Sequence, residues 1–326
     1  MMNPLYSEKS FHVVSDHVFS NPFQLEDLLV FDPQTLSDLL ADDLRDLSVN
    51  DLAIAFHDAP EALVRLVRQA LPEEHRARFA ERQRLRALAP EVAARRRRIL
   101  DGLFWELTYW KTPEWYEELT EGERLHPGIF RRLRADLHDR VVLDAGAGSG
   151  RATLDTLRAG ARHIYAIDPS PGLLRILEQK AEAQHLKGRV TPLRGRFDAL
   201  PLPNDSVDVT LSCSAFTADD GDEARRGLNE MRRVTRSGGK IVLIWPRPTD
   251  LAWLKRQGFT HEALPMQGEM QVHFRSLGSA RRVVQRFYAH NEAAQQYLRQ
   301  HPEPAIPFSV LGMQPPCDYV WTVVQK

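Results

Sequence analysis

The sequence predicts an α/β chain: an all-α segment first, then a parallel, doubly wound sheet covered by helices. Three observations carry that prediction. Residues 141–143 read Val-Val-Leu, an apolar and largely β-branched run of the kind a buried parallel strand uses. The run enters Asp144-Ala145-Gly146-Ala147-Gly148-Ser149-Gly150, and a helical stretch over 152–159 follows at once, with Gly160 placed as its C-cap. Strand, glycine loop and helix open a nucleotide-type βαβ unit. Strand-like and helix-like stretches then alternate as far as Trp245, whereas residues 23–100 show helical periodicity and no convincing strand.

Length and charge set the outer bounds. A chain of 326 residues has room for two hydrophobic cores. With 43 Lys and Arg against 44 Asp and Glu, the net charge is −1, so no overall field draws the protein to nucleic acid or an anionic membrane. Two cysteines, Cys213 and Cys317, make neither a disulfide framework nor a thiolate zinc site, and the twelve histidines lack metal-ligand spacing. No metal is expected. The first residues show no basic run leading into an apolar one, and no apolar stretch reaches the roughly 20 residues that span a bilayer. The expectation is a cytoplasmic protein with neither a nucleic-acid nor a membrane partner.

Residues 1–100 are expected to form a helical domain for interaction or a lid, with 1–22 as a non-periodic arm. Leu36, Leu39, Leu40 and Leu44 fall at helical spacing. Ser48 and Asp51 form a capping box, and Pro60, Pro72 and Pro90 each precede Glu at a helix start. Residues 1–60 hold only Lys9 and Arg45 as basic side chains, while Arg95-Arg96-Arg97-Arg98 closes a basic half. That run reads as a solvated helix face, as a surface for nucleic acid or an acidic partner, or as a match for the acidic half within the domain. Residues 26–100 resemble the C-terminal helical domain of flagellar motor switch proteins, through Asp51-Leu52-Ala53-Ile54-Ala55-Phe56, Pro60-Glu61-Ala62-Leu63 and Leu88-Ala89-Pro90-Glu91-Val92-Ala93. The resemblance implies a protein-contact module.

Residues 101–138 read as aromatic-rich connecting or cap helices. Phe104, Trp105, Tyr109, Trp110, Trp115 and Tyr116 crowd this segment, as core or as a wall over a ligand. From His126-Pro127-Gly128 an amphipathic helix leads to the first strand.

The glycine loop narrows the ligand. A dinucleotide loop needs Gly-x-Gly-x-x-Gly, but the third glycine arrives one residue early, at Gly150, and Arg151 occupies its place. Asp144 would repel a pyrophosphate. A donor with a cationic end and no phosphate suits the loop better, which disfavours a nicotinamide-dependent oxidoreductase. The second strand, 163–167, ends at Asp168, where an acid accepts hydrogen bonds from ribose hydroxyls. Pro169 and Ser170 then start a helix that turns Leu173, Leu174, Leu177 and Ala181 toward the sheet. Strands over 190–193 and 207–212 follow, then a helix with Leu228, Met231 and Val234, then a fifth strand to Trp245.

Several of these stretches resemble class I S-adenosylmethionine-dependent methyltransferases. Val141-Val142-Leu143-Asp144-Ala145-Gly146-Ala147-Gly148-Ser149-Gly150 is similar to the family's first motif. Gly195-Arg196-Phe197-Asp198-Ala199-Leu200-Pro201-Leu202-Pro203, with Val207-Asp208-Val209, is similar to the segment from the adenine pocket into the fourth strand. Glu230-Met231-Arg232-Arg233-Val234 with Gly238-Gly239 matches the last core motif, with Ser237 where proline is usual. The resemblance implies a Rossmann-like seven-stranded methyltransferase sheet over 139–326, closed by an antiparallel pair, with S-adenosylmethionine as cofactor. It assigns the cofactor site to Asp144, Gly146, Gly148, Gly150, Asp168, Pro169, Phe197, Asp198 and Ser212. Asp144 would face the cationic amino-acid tail and Asp168 the ribose. Arg196 stands where the family usually has its adenine-contacting acid, so Asp198 is expected to reach the exocyclic amine and Phe197 to lie on the adenine face.

The acceptor is less legible. The loop Ser212-Cys213-Ser214-Ala215-Phe216 lacks the Asn/Asp-Pro-Pro-Tyr/Phe signature of amino-methylating nucleic-acid and protein-glutamine enzymes. Methyl transfer needs an in-line nucleophile about 3 Å away, and positioning supplies much of the rate, so no catalytic residue is assigned. Tyr109, Tyr116, His126 and Tyr288 are candidates if the acceptor must lose a proton. Beyond Trp245 a short helix, a Gly258-Phe259 turn, a strand, a longer helix near 279–298 and a last strand within 318–324 are expected. Phe274, Phe287, Tyr288, Phe308 and Met313, between the last strands, are core or an acceptor pocket. The expected function is methyl transfer to a small molecule, with a protein acceptor second. The alternative is a non-catalytic S-adenosylmethionine sensor or scaffold that contacts partners through the helical domain.

Overall fold

The computed structural model describes residues 21–326 except 43, 45, 219 and 220. The expected arm over 1–22 therefore lies almost wholly outside the described residues, as do Lys9 and Arg45. The described residues separate into two compact units, 21–113 and 114–326.

The first unit is helical. A 3-10 turn, Leu25–Val30, precedes α1 (Pro33–Asp42), α2 (Val49–Ala55), α3 (Glu61–Ala70), α4 (Glu73–Gln83), α5 (Ala89–Gly102) and α6 (Phe104–Lys111). The capping box at α2 forms: the Ser48 side chain accepts from Asp51 N, and the Asp51 carboxylate accepts from Ser48 N. Leu36 and Leu39 are buried, with Leu63, Val67, Phe79, Ile99 and Phe104.

The arginine run of α5 is drawn inward because α5 packs on α2. Arg95 pairs with Asp51 at 2.7 Å, and Arg96 donates to the carbonyls of Ala55 and His57, capping the carboxyl end of α2. Arg97 bonds Asp101 on its own helix. Only Arg98 faces solvent with no partner among the described residues. Of the α6 aromatics Phe104 is core and the others are half-buried: Phe104 packs against Phe23 and Trp105, and Trp110 meets Phe31 edge-on.

The second unit begins with most of α7 (Pro113–Thr120) and α8 (Gly128–Leu137). The strands β1 (Val141–Ala145), β2 (His163–Asp168), β3 (Val190–Arg194), β4 (Val207–Cys213), β5 (Thr235–Ile244), β6 (Thr260–Ala263) and β9 (Asp318–Val323) form one sheet, in the order β3-β2-β1-β4-β5-β9-β6. β1 to β5 run parallel, and β9 is antiparallel to both β5 and β6. Between the parallel strands run α9 (Arg151–Arg158), α10 (Pro171–Ala183) and α11 (Gly221–Val234). Leu143, Ile167, Leu228, Met231, Ile241 and Val320 share the core cluster of this sheet. The strand order reverses at β1, between β2 and β4, so the carboxyl ends of β1, β2 and β4 frame the crevice where such sheets bind ligands.

Two features depart from the sequence expectation. The helix expected near 279–298 is two helices, α13 (Leu277–Phe287) and α14 (Glu292–Gln300), after a short α12 (Leu251–Arg256). Asn291 divides them: its side chain accepts from Ala294 N and so starts a new helix. The insertion also carries its own two-stranded sheet, β7 (Gln271–His273) and β8 (Ala305–Pro307), too short to leave a periodic trace. Phe274, Phe287 and Phe308 are buried, as core side chains are. Among the described residues no helix is long and apolar enough to cross a membrane.

Candidate cofactor and acceptor site

β1 runs through Asp144 and Ala145 before the glycine loop begins. Gly146, Gly148 and Gly150 have φ of +72°, +53° and +90°, the left-handed region in which a side chain is strained. The loop is strapped to the end of β2: the amides of Gly146 and Ala147 both donate to the Ile167 carbonyl, at 2.8 and 3.0 Å. Space matters as much as dihedral. A Cβ on Gly146 would stand 2.5 Å from the Ala215 Cβ, which is fixed to the backbone, and one on Gly150 would overlap Leu177. Gly146→Ala is therefore expected to destabilise the protein by about 2–4 kcal/mol, strain and overpacking together. Urea unfolding checks this; an unchanged midpoint would mean the Ala215 segment moves aside freely.

Asp168 closes β2 opposite the loop. Its Oδ2 accepts from Gly148 N and its Oδ1 from Ser170 N, both at 2.9 Å. The carboxylate is thus aimed by backbone alone and keeps lone pairs for two more donors. Ser170 caps α10 by accepting from Leu173 N, and Pro169, half-buried, links the two. Burial pushes the Asp168 carboxyl up to about 6, against the two amides that hold it ionised. Asp144 is 1% exposed, and burial lifts it to about 7, with Asp168 adding to the rise. Thr153 Oγ1 donates to Asp144 Oδ2 at 2.5 Å, while Oδ1 has no hydrogen-bond partner among the described residues. Ser212 Oγ, at the end of β4, is likewise buried and unpartnered there.

The 195–204 segment takes its shape from α11. Arg233 donates to the carbonyls of Leu200 and Leu202, and Glu230 accepts from Leu200 N. Asp198 Oδ1 lies 3.3 Å from Arg196 Nε, so the two charges that the sequence left in question pair with each other. The Phe197 ring stands edge-on to Phe216 at 5.6 Å, and its tip would lie 3.1 Å from a Cβ on Gly146. It therefore reaches under the glycine loop and packs on the sheet core.

The four base candidates separate. Tyr109 belongs to α6 of the helical unit. His126 Nδ1 accepts from Gly128 N, and the Tyr288 hydroxyl lies 3.0 Å from Met313 Sδ. Tyr116 alone borders the glycine loop, with its Cε1 3.7 Å from where a Gly148 Cβ would be. Burial raises both tyrosines far above the ordinary phenol range, so each stays a hydrogen-bond donor at neutral pH.

Sequence reading missed a charged pair beside these groups. Arg151 starts α9 directly after Gly150, and its Nη1 lies 2.5 Å from Glu123 Oε2. Its guanidinium sits 5.2 Å over the Trp245 ring and bonds the Cys213 side chain. Cys213 and Trp245 lie at the carboxyl ends of β4 and β5. Burial pushes the Cys213 thiol up to about 11, which suits packing and not attack. The only trace in the sequence was Arg151 in place of a glycine.

The residues fit a donor of adenosine and cationic amino-acid type. Asp168 has lone pairs left for hydroxyls, Asp144 has an orphaned oxygen for a cation, and the glycines leave open backbone between them. Two neighbouring buried carboxyls would repel a pyrophosphate.

Residues 142–239 match the family described as a methyltransferase domain. An uncharacterized methyltransferase of Mycobacterium bovis is 32% identical over 120 residues, 36% of this chain and 45% of that protein. Protein arginine N-methyltransferase 1 of Schizosaccharomyces pombe is 33% identical over 87 residues, 27% of this chain and 23% of that one. The chain thus spans less than half the length of both. It covers more of an uncharacterized methyltransferase of Geobacillus kaustophilus: 30% identity over 157 residues, 48% of this chain and 67% of the relative. With that coverage, the matched domain and the parallel sheet closed by an antiparallel pair, the chain belongs to the class I S-adenosylmethionine-dependent methyltransferases.

Proposed function

We propose that this protein transfers a methyl group from S-adenosylmethionine to a small-molecule acceptor. The observation that carries the reading is Asp168, fixed by the Gly148 and Ser170 amides with acceptor capacity to spare beside a half-buried glycine loop. Asp168 accepts from the ribose hydroxyls, and Gly148 lets the donor lie on bare backbone. Asp144 faces the ammonium of the amino-acid tail, and Ser212 lines the crevice between that tail and the acceptor. The bound donor supplies an electrophilic methyl; the chain contributes orientation and exclusion of water. A small molecule is favoured because the groups beside the transfer point, Tyr116, Glu123, Arg151 and Trp245, are buried or half-buried. The helical unit is read as a module for contact with a protein partner, and the whole protein as cytoplasmic.

Calorimetry with S-adenosylmethionine, S-adenosylhomocysteine and NAD tests the proposal. The first two are expected to bind and NAD is not. Failure of both to bind sinks it, whereas binding without turnover of any small-molecule extract would favour a sensor.

A further inference from the structure

The pair Glu123–Arg151 is expensive to bury. The two side chains are 7% and 19% exposed, and taking two charges out of water costs several kcal/mol per ion, which a single contact does not obviously return. Among the described residues, the Glu123 carboxylate has Arg151 as its sole hydrogen-bond partner, through Oε2. Its Oε1 is left over. Arg151 by contrast is engaged on three sides, by Glu123, the Trp245 ring and Cys213.

The place of the pair in the sheet gives the leftover oxygen meaning. Asp168 and Asp144 mark the donor at the carboxyl ends of β2 and β1. Cys213 and Trp245 follow from the carboxyl ends of β4 and β5, so Arg151 holds Glu123 on that side of the crevice, with its own charge within reach of Asp144. The backbone there is strained: Ser214 has φ +55° and Trp245 φ +55°, and a tryptophan in the left-handed region is held only by its surroundings. The Trp245 indole is fixed by a hydrogen bond to the Gln314 carbonyl and an edge contact with Phe308. Cys213 and Trp245, at the ends of two adjacent strands, thus both meet one buried ion pair.

Resting on the methyl-transfer reading above, we infer that Glu123 is the group that takes the proton from the acceptor, and that the acceptor's nucleophile is a protic heteroatom, an amine or a hydroxyl. Glu123 Oε1 accepts a hydrogen bond from the acceptor N–H or O–H. As that heteroatom forms its bond to the methyl carbon, the carbon–sulfur electron pair stays with sulfur and the proton passes to Glu123, later exchanging with water. Charge balances: the donor loses its positive charge and Glu123 its negative one. Arg151 is a positioning residue, holding the other oxygen so that Oε1 faces the crevice. Burial raises the Glu123 carboxyl above its ordinary value despite Arg151, which makes it a stronger proton acceptor than a solvated carboxylate.

Sinefungin, an analogue with an amine-bearing carbon in place of the methylated sulfonium, tests this without turnover. Its ammonium projects to where methyl and acceptor meet, whereas S-adenosylhomocysteine has no charge there. By calorimetry the wild-type protein is expected to bind sinefungin more tightly than S-adenosylhomocysteine. Glu123→Gln should lower sinefungin affinity about tenfold and leave that of S-adenosylhomocysteine within about twofold, since only the former faces the lost charge. Glu123→Asp should restore part of the preference. If Glu123→Gln does not fold, the double variant Glu123→Gln/Arg151→Met, which leaves no buried ion unpaired, is expected to show the same loss of preference. An unmoved preference in a variant that still binds S-adenosylhomocysteine overturns the inference, as does an equal loss for both ligands, which would assign the pair to the donor's tail. A wild-type protein that binds neither ligand overturns the methyl-transfer reading itself.

Discussion

Asp168→Ala is expected to weaken S-adenosylmethionine binding by about 1–3 kcal/mol, roughly five- to 150-fold, through loss of hydrogen bonds to a charged acceptor. The carboxylate is already oriented by two backbone amides, so in the proposed binding mode the ribose hydroxyls would meet an acceptor that needs no rearrangement. Removing it takes away those contacts and leaves the Gly148 amide without its partner, which loosens the loop against which the donor lies. Calorimetry of the variant reads the loss directly. An unchanged dissociation constant would place the ribose elsewhere and remove the main support for the proposed site. Asp168→Asn separates the two contributions: it keeps an acceptor for one amide and loses the charge, so it should fall between wild type and alanine.

Asp144→Asn is expected to stabilise the unliganded protein at pH 8 by about 2–4 kcal/mol while weakening S-adenosylmethionine binding. Burial lifts the folded-state value to about 7, against about 3.9 in the unfolded chain. The native state therefore holds a proton that the unfolded state has released across roughly pH 4–7. Stability falls as pH rises through that window, and below it Asp144 contributes nothing. Asp168, pushed to about 6, acts in the same sense up to that pH. Asp51, Glu118, Glu230 and Glu262, held below their ordinary values by hydrogen-bonding partners, act in the opposite sense, but only at more acidic pH. Wild-type protein should then unfold at lower urea at pH 8 than at pH 5, with a smaller difference in Asp144→Asn. A variant weaker than wild type at pH 8 would show that the bond to Thr153 outweighs the buried charge. Such a trade of stability for a ligand-ready carboxyl is usual where a site must be charged when filled.

Much of the fold could be read from the chain because its signals are local. The apolar run at 141–143 became β1, as a strand buried on both faces requires, and the stretches at 163–167 and 207–212, with an apolar residue at every second position of the latter, became β2 and β4. The glycines at 146, 148 and 150 take the positive φ their spacing suggested, and Ser170 caps α10 as its position required. Where a second local signal competed, reading along the chain failed. Asn291 interrupts an otherwise continuous helical pattern, because its side chain satisfies an amide that the helix would have used.

The donor side of the candidate site rests on residues within a short distance of the glycine loop in sequence, so motif spacing located Asp144 and Asp168. The acceptor side does not. Glu123, Arg151, Cys213 and Trp245 come from a loop, a helix start and two strand ends, and no periodicity relates them. Glu123 belongs to no motif in the sequence, and Arg151 stood out only as the residue in place of a glycine. Only the packing of α7, α9, β4 and β5 made them a buried pair. Periodicity and spacing determined that this chain is α/β with a helical segment before it, and the resemblance of its motifs implied a methyltransferase. Tertiary structure decided which charges lose their water, because desolvation belongs to neighbours in space and not to neighbours in sequence.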